Sequence, residues 1–393
     1  MGRRRTCERL SVLEMYTLDH GAPPMEEHAE AVGPRAGGNI DVLHRMLVML
    51  VEARGSDLHL TVGSPPMIRV DGGLQPLPGY GKLNSNDTAI LAAAAVSPQQ
   101  WDTFQRDHEL DFAYSITGVS RFRGNLYAQR NSYGAVFRAI PHTIKPLDEL
   151  GMPTSVARFA HLARGLVLVT GPTGSGKTTT LASLLDLANR SRSAHIVTIE
   201  DPIEFLHPHK RSLVNQREVG TDTESFPQAL KHALRQDPDI ILVGELRDLE
   251  TTATALTAAE TGHLVLATLH TQSATQTIDR VIDIFPPHQQ LQIRAQLAAG
   301  LQGVVTQALA PRADGKGRVV ISEILTATPA IRSLIREGKS HQIPSFMQAG
   351  GSEGMLAFDQ HLAERVREGL VSLQHALDIC HSQEELKRLT GRV

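Results

Sequence analysis

A chain of 393 residues is long enough for two or three domains with sizeable cores. A net charge of −3 argues against a protein that coats nucleic acid through a broad basic face, and two cysteines, Cys7 and Cys380, exclude a four-cysteine structural zinc site. No stretch approaches the roughly 18 consecutive apolar residues of a membrane span, and Arg3-Arg4-Arg5 is not followed by the apolar core of a signal peptide, so a cytoplasmic protein without membrane insertion is expected.

Residues 1–38 contain Gly21-Ala22-Pro23-Pro24, Gly33-Pro34 and Gly37-Gly38 with little periodicity, and read as a flexible extension. From Ile40 the pattern changes. Ile40, Leu43, Leu47, Leu50 and Val51 form a helical stripe that Gly55 ends. Short β-type segments follow at 58–62, 67–70, 111–116, 121–129 and 135–140, with turns at Asp71-Gly72-Gly73 and Asn131-Ser132-Tyr133-Gly134. This predicts a small α+β domain over 39–140. Residues 141–153 hold three prolines and read as an interdomain linker.

Beyond the linker, apolar strands at 166–170, 195–199, 240–243, 264–268 and 319–324 alternate with helical segments, the pattern of a doubly wound α/β domain over 154–328. One such helix places Phe226, Ala229, Leu230, Ala233 and Leu234 on one face before Asp237-Pro238 stops it. From 329 to 393 the pattern is helical, with Ile331, Leu334 and Ile335 on one face and Phe358, Leu362 and Val366 on another.

The first strand of this domain runs into Gly171-Pro172-Thr173-Gly174-Ser175-Gly176-Lys177-Thr178, which matches G-x-x-x-x-G-K-[ST] throughout. Its glycines let backbone N–H groups turn around a polyphosphate, Lys177 reaches the outer phosphates, and the Thr178 hydroxyl is placed for Mg²⁺. With Thr179 beside them, these residues are the expected ATP-binding set. The helix that follows puts its N-terminus at the anion. Hydrolysis further needs carboxylates near the γ-phosphate, and two strands end in acids: Ile199-Glu200-Asp201-Pro202-Ile203-Glu204 and Ile240-Ile241-Leu242-Val243-Gly244-Glu245. Glu204 and Glu245 are the expected pair. His263 and His270 bracket one apolar strand, so they lie at opposite edges of the sheet and serve either as backbone-satisfied histidines or as nucleotide sensors. Arg121, Arg123, Arg130 and Arg138 cluster on neighbouring strands of the first domain. They fit a solvated sheet face, arginine fingers or a nucleic-acid groove, the last weakened by 4% aromatic content.

In four ordered boxes the chain resembles the secretion ATPase superfamily of type II secretion and type IV pili, and within it the pilus retraction (PilT-type) ATPases. The phosphate loop resembles the Walker A box and residues 199–207 the Asp box, while 237–248 resemble the atypical Walker B and 262–270 the His box. Matching stretches also include Asn215-Gln216-Arg217-Glu218-Val219-Gly220 and residues 330–339, a retraction-type signature with Ser333 where Asn is commoner. The resemblance implies a PAS-like N-terminal domain, a RecA-like ATPase domain with a helical C-terminal appendix, and a homohexamer. It further implies that Glu204 polarises water and Glu245 supports the Mg²⁺ shell, with the choice of general base between them open. Arg123 and Arg138 would reach the phosphates, and His263 and His270 would couple nucleotide state to domain position. The implied partner is the inner-membrane pilus platform protein, met at the cytoplasmic face of the membrane, and the implied task is pilus retraction in twitching motility. Assembly and secretion ATPases, which usually carry an additional N-terminal domain and a four-cysteine metal site, are the alternative. A nucleic-acid-dependent translocase and a nonhydrolytic nucleotide-binding scaffold are the readings from other classes.

Overall fold

The computed structural model describes residues 39–391 apart from 71, 141 and 142; the extension read over 1–38, with Cys7, lies outside the described residues. The chain divides after Ile140 into two compact units.

In the first unit, helix α1 (Asn39–Glu52) turns Leu43, Met46, Leu47 and Leu50 inward, the i, i+3, i+4, i+7 stripe of an amphipathic helix. Its partner is a six-stranded antiparallel sheet of β1 (Asp57–Leu60), β2 (Met67–Val70), β3 (Gly73–Pro76), β4 (Glu109–Ile116), β5 (Ser120–Gln129) and β6 (Ser132–Ala139), in the order β3-β2-β1-β6-β5-β4. Leu58, Ile68, Phe122, Leu126, Ala135 and Phe137 face the helices. The β5–β6 turn is tighter than the glycine suggested. Arg130 and Asn131 take φ of 45° and 59°, so the hairpin closes on two residues and Ser132 already belongs to β6. Strand β3 and helices α2 (Ser85–Ala94) and α3 (Pro98–Asp107) were not expected, although both helices open with capping boxes, Asn84 with Asp87 and Ser97 with Gln100.

The second unit is built on seven strands: β7 (Gly165–Thr170), β8 (His195–Glu200), β9 (Leu213–Glu218), β10 (Ile240–Val243), β11 (Leu264–Leu269), β12 (Leu301–Pro311) and β13 (Arg318–Thr326). Their order is β13-β12-β7-β11-β10-β8-β9, parallel from β12 to β9, with β13 antiparallel at the edge. This is a RecA-like core. Helices α4 (Lys177–Ser191), α5 (Phe226–Ala233), α6 (Leu249–Glu260), α7 (Ala274–Asp283) and α8 (Pro287–Gly300) cover its faces. The central strands are buried on both faces, which is why they read as unbroken apolar runs.

The segment read as a linker is fastened to this unit well before its end. Ser183 Oγ donates to Lys145 O at 2.6 Å, and Leu147 and Met152 are buried with Val156 and Phe159. The C-terminal helices are likewise part of the unit. Ile331, Leu334 and Ile335 of α9 (Pro329–Glu337) enter the main core, and α10 (Ile343–Ala349) adds Ile343 and Met347. Helices α11 (Phe358–Arg367), α12 (Leu373–Ile379) and α13 (Gln383–Thr390) pack on the β12–β13 hairpin through Phe358, Leu362, Ala376 and Leu386 against Ala310 and Ile321.

Candidate functional site: a nucleotide cavity at the strand ends

The carboxyl ends of β7, β8, β10 and β11 open into a cavity of about 540 Å³, a volume in the range of small-molecule sites. Eight residues of the phosphate loop and its helix line it, among them Thr173, Gly174, Gly176, Lys177, Thr178 and Thr179. Gly171 and Ser175 are buried on the side of the loop that meets β12, Pro172 is exposed, and none of the three lines the cavity.

The glycines are required by geometry. Gly174 and Gly176 take φ of 78° and 88°, and a Cβ on Gly171 would lie 2.2 Å from the Gln307 carbonyl oxygen. Gln307 on β12 also donates from Nε2 to Ser175 O at 2.7 Å, so β12 is the floor on which the loop is moulded. The helix behind the loop is built for an anion. Ser225, Asp248, Ser273 and Thr328 cap α5, α6, α7 and α9 with their side chains, whereas Gly176 leaves the first N–H groups of α4 without a side-chain cap. Lys177 Nζ donates to Gly171 O at 2.9 Å and Pro172 O at 3.1 Å. Burial lowers its pKa, while the charges of Glu204 and Glu245 act to raise it, which places both acids within electrostatic reach of the ammonium.

Glu204 and Glu245 both line this cavity, from opposite supports. Glu245 follows β10 after the single residue Gly244, and its carboxylate meets Arg247 Nε at 2.6 Å and His270 Nε2 at 3.6 Å. Glu204 lies on the irregular stretch 201–212 between β8 and β9, which contains a cis Asp201-Pro202 bond. His270 also lines the cavity, whereas His263 sits at the far end of β11 and its Nδ1 contacts Ala258 O at 3.1 Å. The strand separates the two histidines, and only His270 joins the acids.

Sequence reasoning missed several lining groups. Glu200, the last residue of β8, is buried; desolvation pushes its pKa up to about 7, against hydrogen bonds from Thr198, Gln216 and the backbone of Glu204. Burial lowers His207 to about 4, and its Nδ1 has no hydrogen-bond partner. Arg247 and Arg318 add cations, the latter with Nη1 3.5 Å from Gly174 O. Glu200 falls within the stretch 199–207 and Arg247 within 237–248, and nothing in their spacing distinguishes them from solvated charges.

Arg123 and Arg138 lie on the helix-free face of the first unit's sheet and are cross-strand partners. Arg138 is also opposite Asp57, to which its Nε donates at 2.8 Å. Burial would raise the Asp57 pKa, but hydrogen bonds from Ser56 and Arg138 and the charges of Arg138 and His59 carry it below the usual value.

A glycine-cradled loop, an uncapped helix and acids at the ends of a parallel sheet define a P-loop ATPase with a RecA-like core. Residues 134–316 match the family model described as type II/IV secretion system protein. The chain is 50% identical over 331 residues to the type IV pilus retraction ATPase PilT of Pseudomonas aeruginosa, covering 84% of this chain and 96% of that one. It is 40% identical over 343 residues to the type IV pilus ATPase PilU of the same organism, covering 87% and 90%. The crystal structure of the pilus retraction motor PilT with bound ADP superposes with a TM-score of 0.81 at 46% identity, over 89% of this chain and 98% of that one. The chain therefore belongs to the secretion ATPase family, in its PilT-type branch, and is an ATP-binding ATPase. Among the described residues no helix is long and apolar enough to cross a membrane.

Proposed function

We propose that this chain is a motor of type IV pilus retraction, which hydrolyses ATP at the cavity described and works as a homohexamer on the inner-membrane pilus platform protein, at the cytoplasmic face of the membrane. The observation that carries the hydrolytic half is the convergence of Lys177, Glu204 and Glu245 on one cavity at the strand ends. Kinship along nearly the full length of a pilus retraction ATPase supports the mechanical half.

The chain's own groups divide the chemistry. Loop N–H groups, the N-terminus of α4 and Lys177 bind the phosphates and take up charge as the γ-phosphoryl group departs. Glu204 orients and polarises the attacking water. Thr178 and Glu245 offer the oxygen donors that suit Mg²⁺, which when bound neutralises phosphate charge. His270 sits 3.6 Å from the Glu245 carboxylate, close enough to respond to a change there. The family resemblance assigns Arg123 and Arg138 to the phosphates, and His263, which does not line the cavity, to transmission rather than contact.

Phosphate release by the purified chain tests the hydrolytic half. Wild type should turn over ATP with Mg²⁺, and Lys177→Ala should lose nearly all of it; full turnover by Lys177→Ala would move the chemistry elsewhere. Stimulation by single-stranded DNA would instead support a nucleic-acid translocase.

A further inference from the structure

Glu204 stands on a stretch without regular hydrogen bonding, yet hydrolysis requires its carboxylate to be held to a fraction of an ångström. The neighbouring strand β9 supplies what the loop lacks. Gln216 Nε2 donates to Phe205 O at 2.8 Å and to Glu200 Oε1 at 3.1 Å, and its Oε1 accepts from His207 N at 2.8 Å. Both amide hydrogens and the oxygen are thus used, each on a different group. Glu218, two residues along β9, accepts from Ile203 N at 3.0 Å. Glu200 closes the arrangement: its carboxyl accepts from Thr198 Oγ1 at 2.6 Å as well as from Gln216 Nε2. The residues on either side of Glu204 are therefore held by side chains of β9, which Glu200 of β8 braces.

We propose that Gln216 and the buried Glu200 are positioning residues for hydrolysis, a side-chain clamp that fixes the loop presenting Glu204 to the nucleotide cavity. Neither need touch ATP. The clamp explains why the amide belongs at 216: a carboxylate there would set acceptors against Phe205 O and Glu200, and a shorter side chain would not span the three partners. It also explains a buried carboxyl at Glu200 that has no ion-pair partner among the described residues, since it accepts from Thr198 and from Gln216 of the clamp. The inference rests on the reading of Glu204 as the carboxylate that polarises water.

The test compares full-length wild type, Gln216→Glu, Gln216→Met and Glu204→Gln by single-turnover hydrolysis and by binding of a fluorescent ATP analogue. Both Gln216 variants should hydrolyse about 10- to 100-fold more slowly while binding the analogue with unchanged stoichiometry and affinity within about twofold. A residue that merely supports the fold would lose rate and binding stoichiometry together, and that result overturns the clamp. A wild-type rate in Gln216→Met beside a slow Glu204→Gln overturns the clamp alone. A wild-type rate in Glu204→Gln overturns the reading of Glu204, and the clamp with it.

Discussion

The two acids of the cavity are held in different ways. Glu245 follows a central strand, and its neighbours stay in the sheet's own hydrogen bonding: Gly244 N donates to Ile199 O at 2.8 Å and Leu246 N to Thr268 O at 3.0 Å. Glu204 has no such ladder, and Gln216, Glu218 and Glu200 hold its loop with side chains. At its far end the same loop is tied to the phosphate-loop helix, where Asn189 Nδ2 donates to Pro208 O at 2.8 Å and Lys210 Nζ meets Asp186 Oδ1 at 2.5 Å. A backbone ladder is rigid whatever its side chains are, whereas a side-chain clamp is only as good as each amide and carboxyl. The site should therefore be robust around Glu245 and sensitive around Glu204.

The largest effect sharpens the comparison by removing each acid in turn. Glu204→Gln and Glu245→Gln should each lower kcat by roughly 10²- to 10³-fold with nucleotide binding retained, measured as phosphate release beside analogue binding. Equal, small losses would deny both their roles. The supports should then differ. Thr268→Val removes the hydroxyl that donates to Gly244 O. It should cost about 1 kcal/mol of stability and less than about tenfold in kcat, because the ladder remains. A loss as deep as that of Gln216→Glu would break the distinction.

Two smaller effects come from titration. Glu200 has a folded pKa raised to about 7 by burial, so the stability its neutral form contributes is full below its ordinary value of 4.5 and is lost as pH rises through 7. Glu200→Gln should flatten the melting temperature between pH 5 and about 8 relative to wild type. His361, buried and accepting from Ser322 N at 2.9 Å, is lowered by burial to about 4. Its contribution is present above the ordinary value of 6.5 and is lost as pH falls through 4, by about 3 kcal/mol in all. His361→Asn should reduce the acid-side slope without altering turnover at neutral pH, since His361 sits on the buried face of α11 and does not line the cavity.

What the sequence made legible follows the same division. The phosphate loop was readable because its chemistry is local, with glycines and lysine fixed by the path of one turn. Glu245 was readable because an apolar run leading into an acid marks a parallel strand's carboxyl end, and Glu204 because it falls in the acidic turn that follows such a run. Gln216 was not, since its role depends on the register of β9 against β8, where Gln216 lies opposite Thr198 and Glu218 opposite Glu200. Strand β9 itself is an edge strand with exposed Leu213 and Asn215, and has no apolar run to announce it. Strand β12 escaped for another reason. Gly303, where a Cβ would strike the Phe159 ring at 2.3 Å, and the polar Gln302, Thr306 and Gln307 interrupt its apolar pattern, although Gln307 is what shapes the phosphate loop. Helix α2 shows no one-sided stripe because its alanines surround it, so only the capping box marked its start.

The most direct test of the whole account is the number of surface pili and the twitching of cells that lack this gene, with the wild-type chain or Lys177→Ala returned. Excess pili with lost twitching, restored by the wild type and not by Lys177→Ala, is the predicted result. Cells without pili would contradict it and make the chain an assembly motor, and unchanged pili and motility would contradict any principal role in retraction.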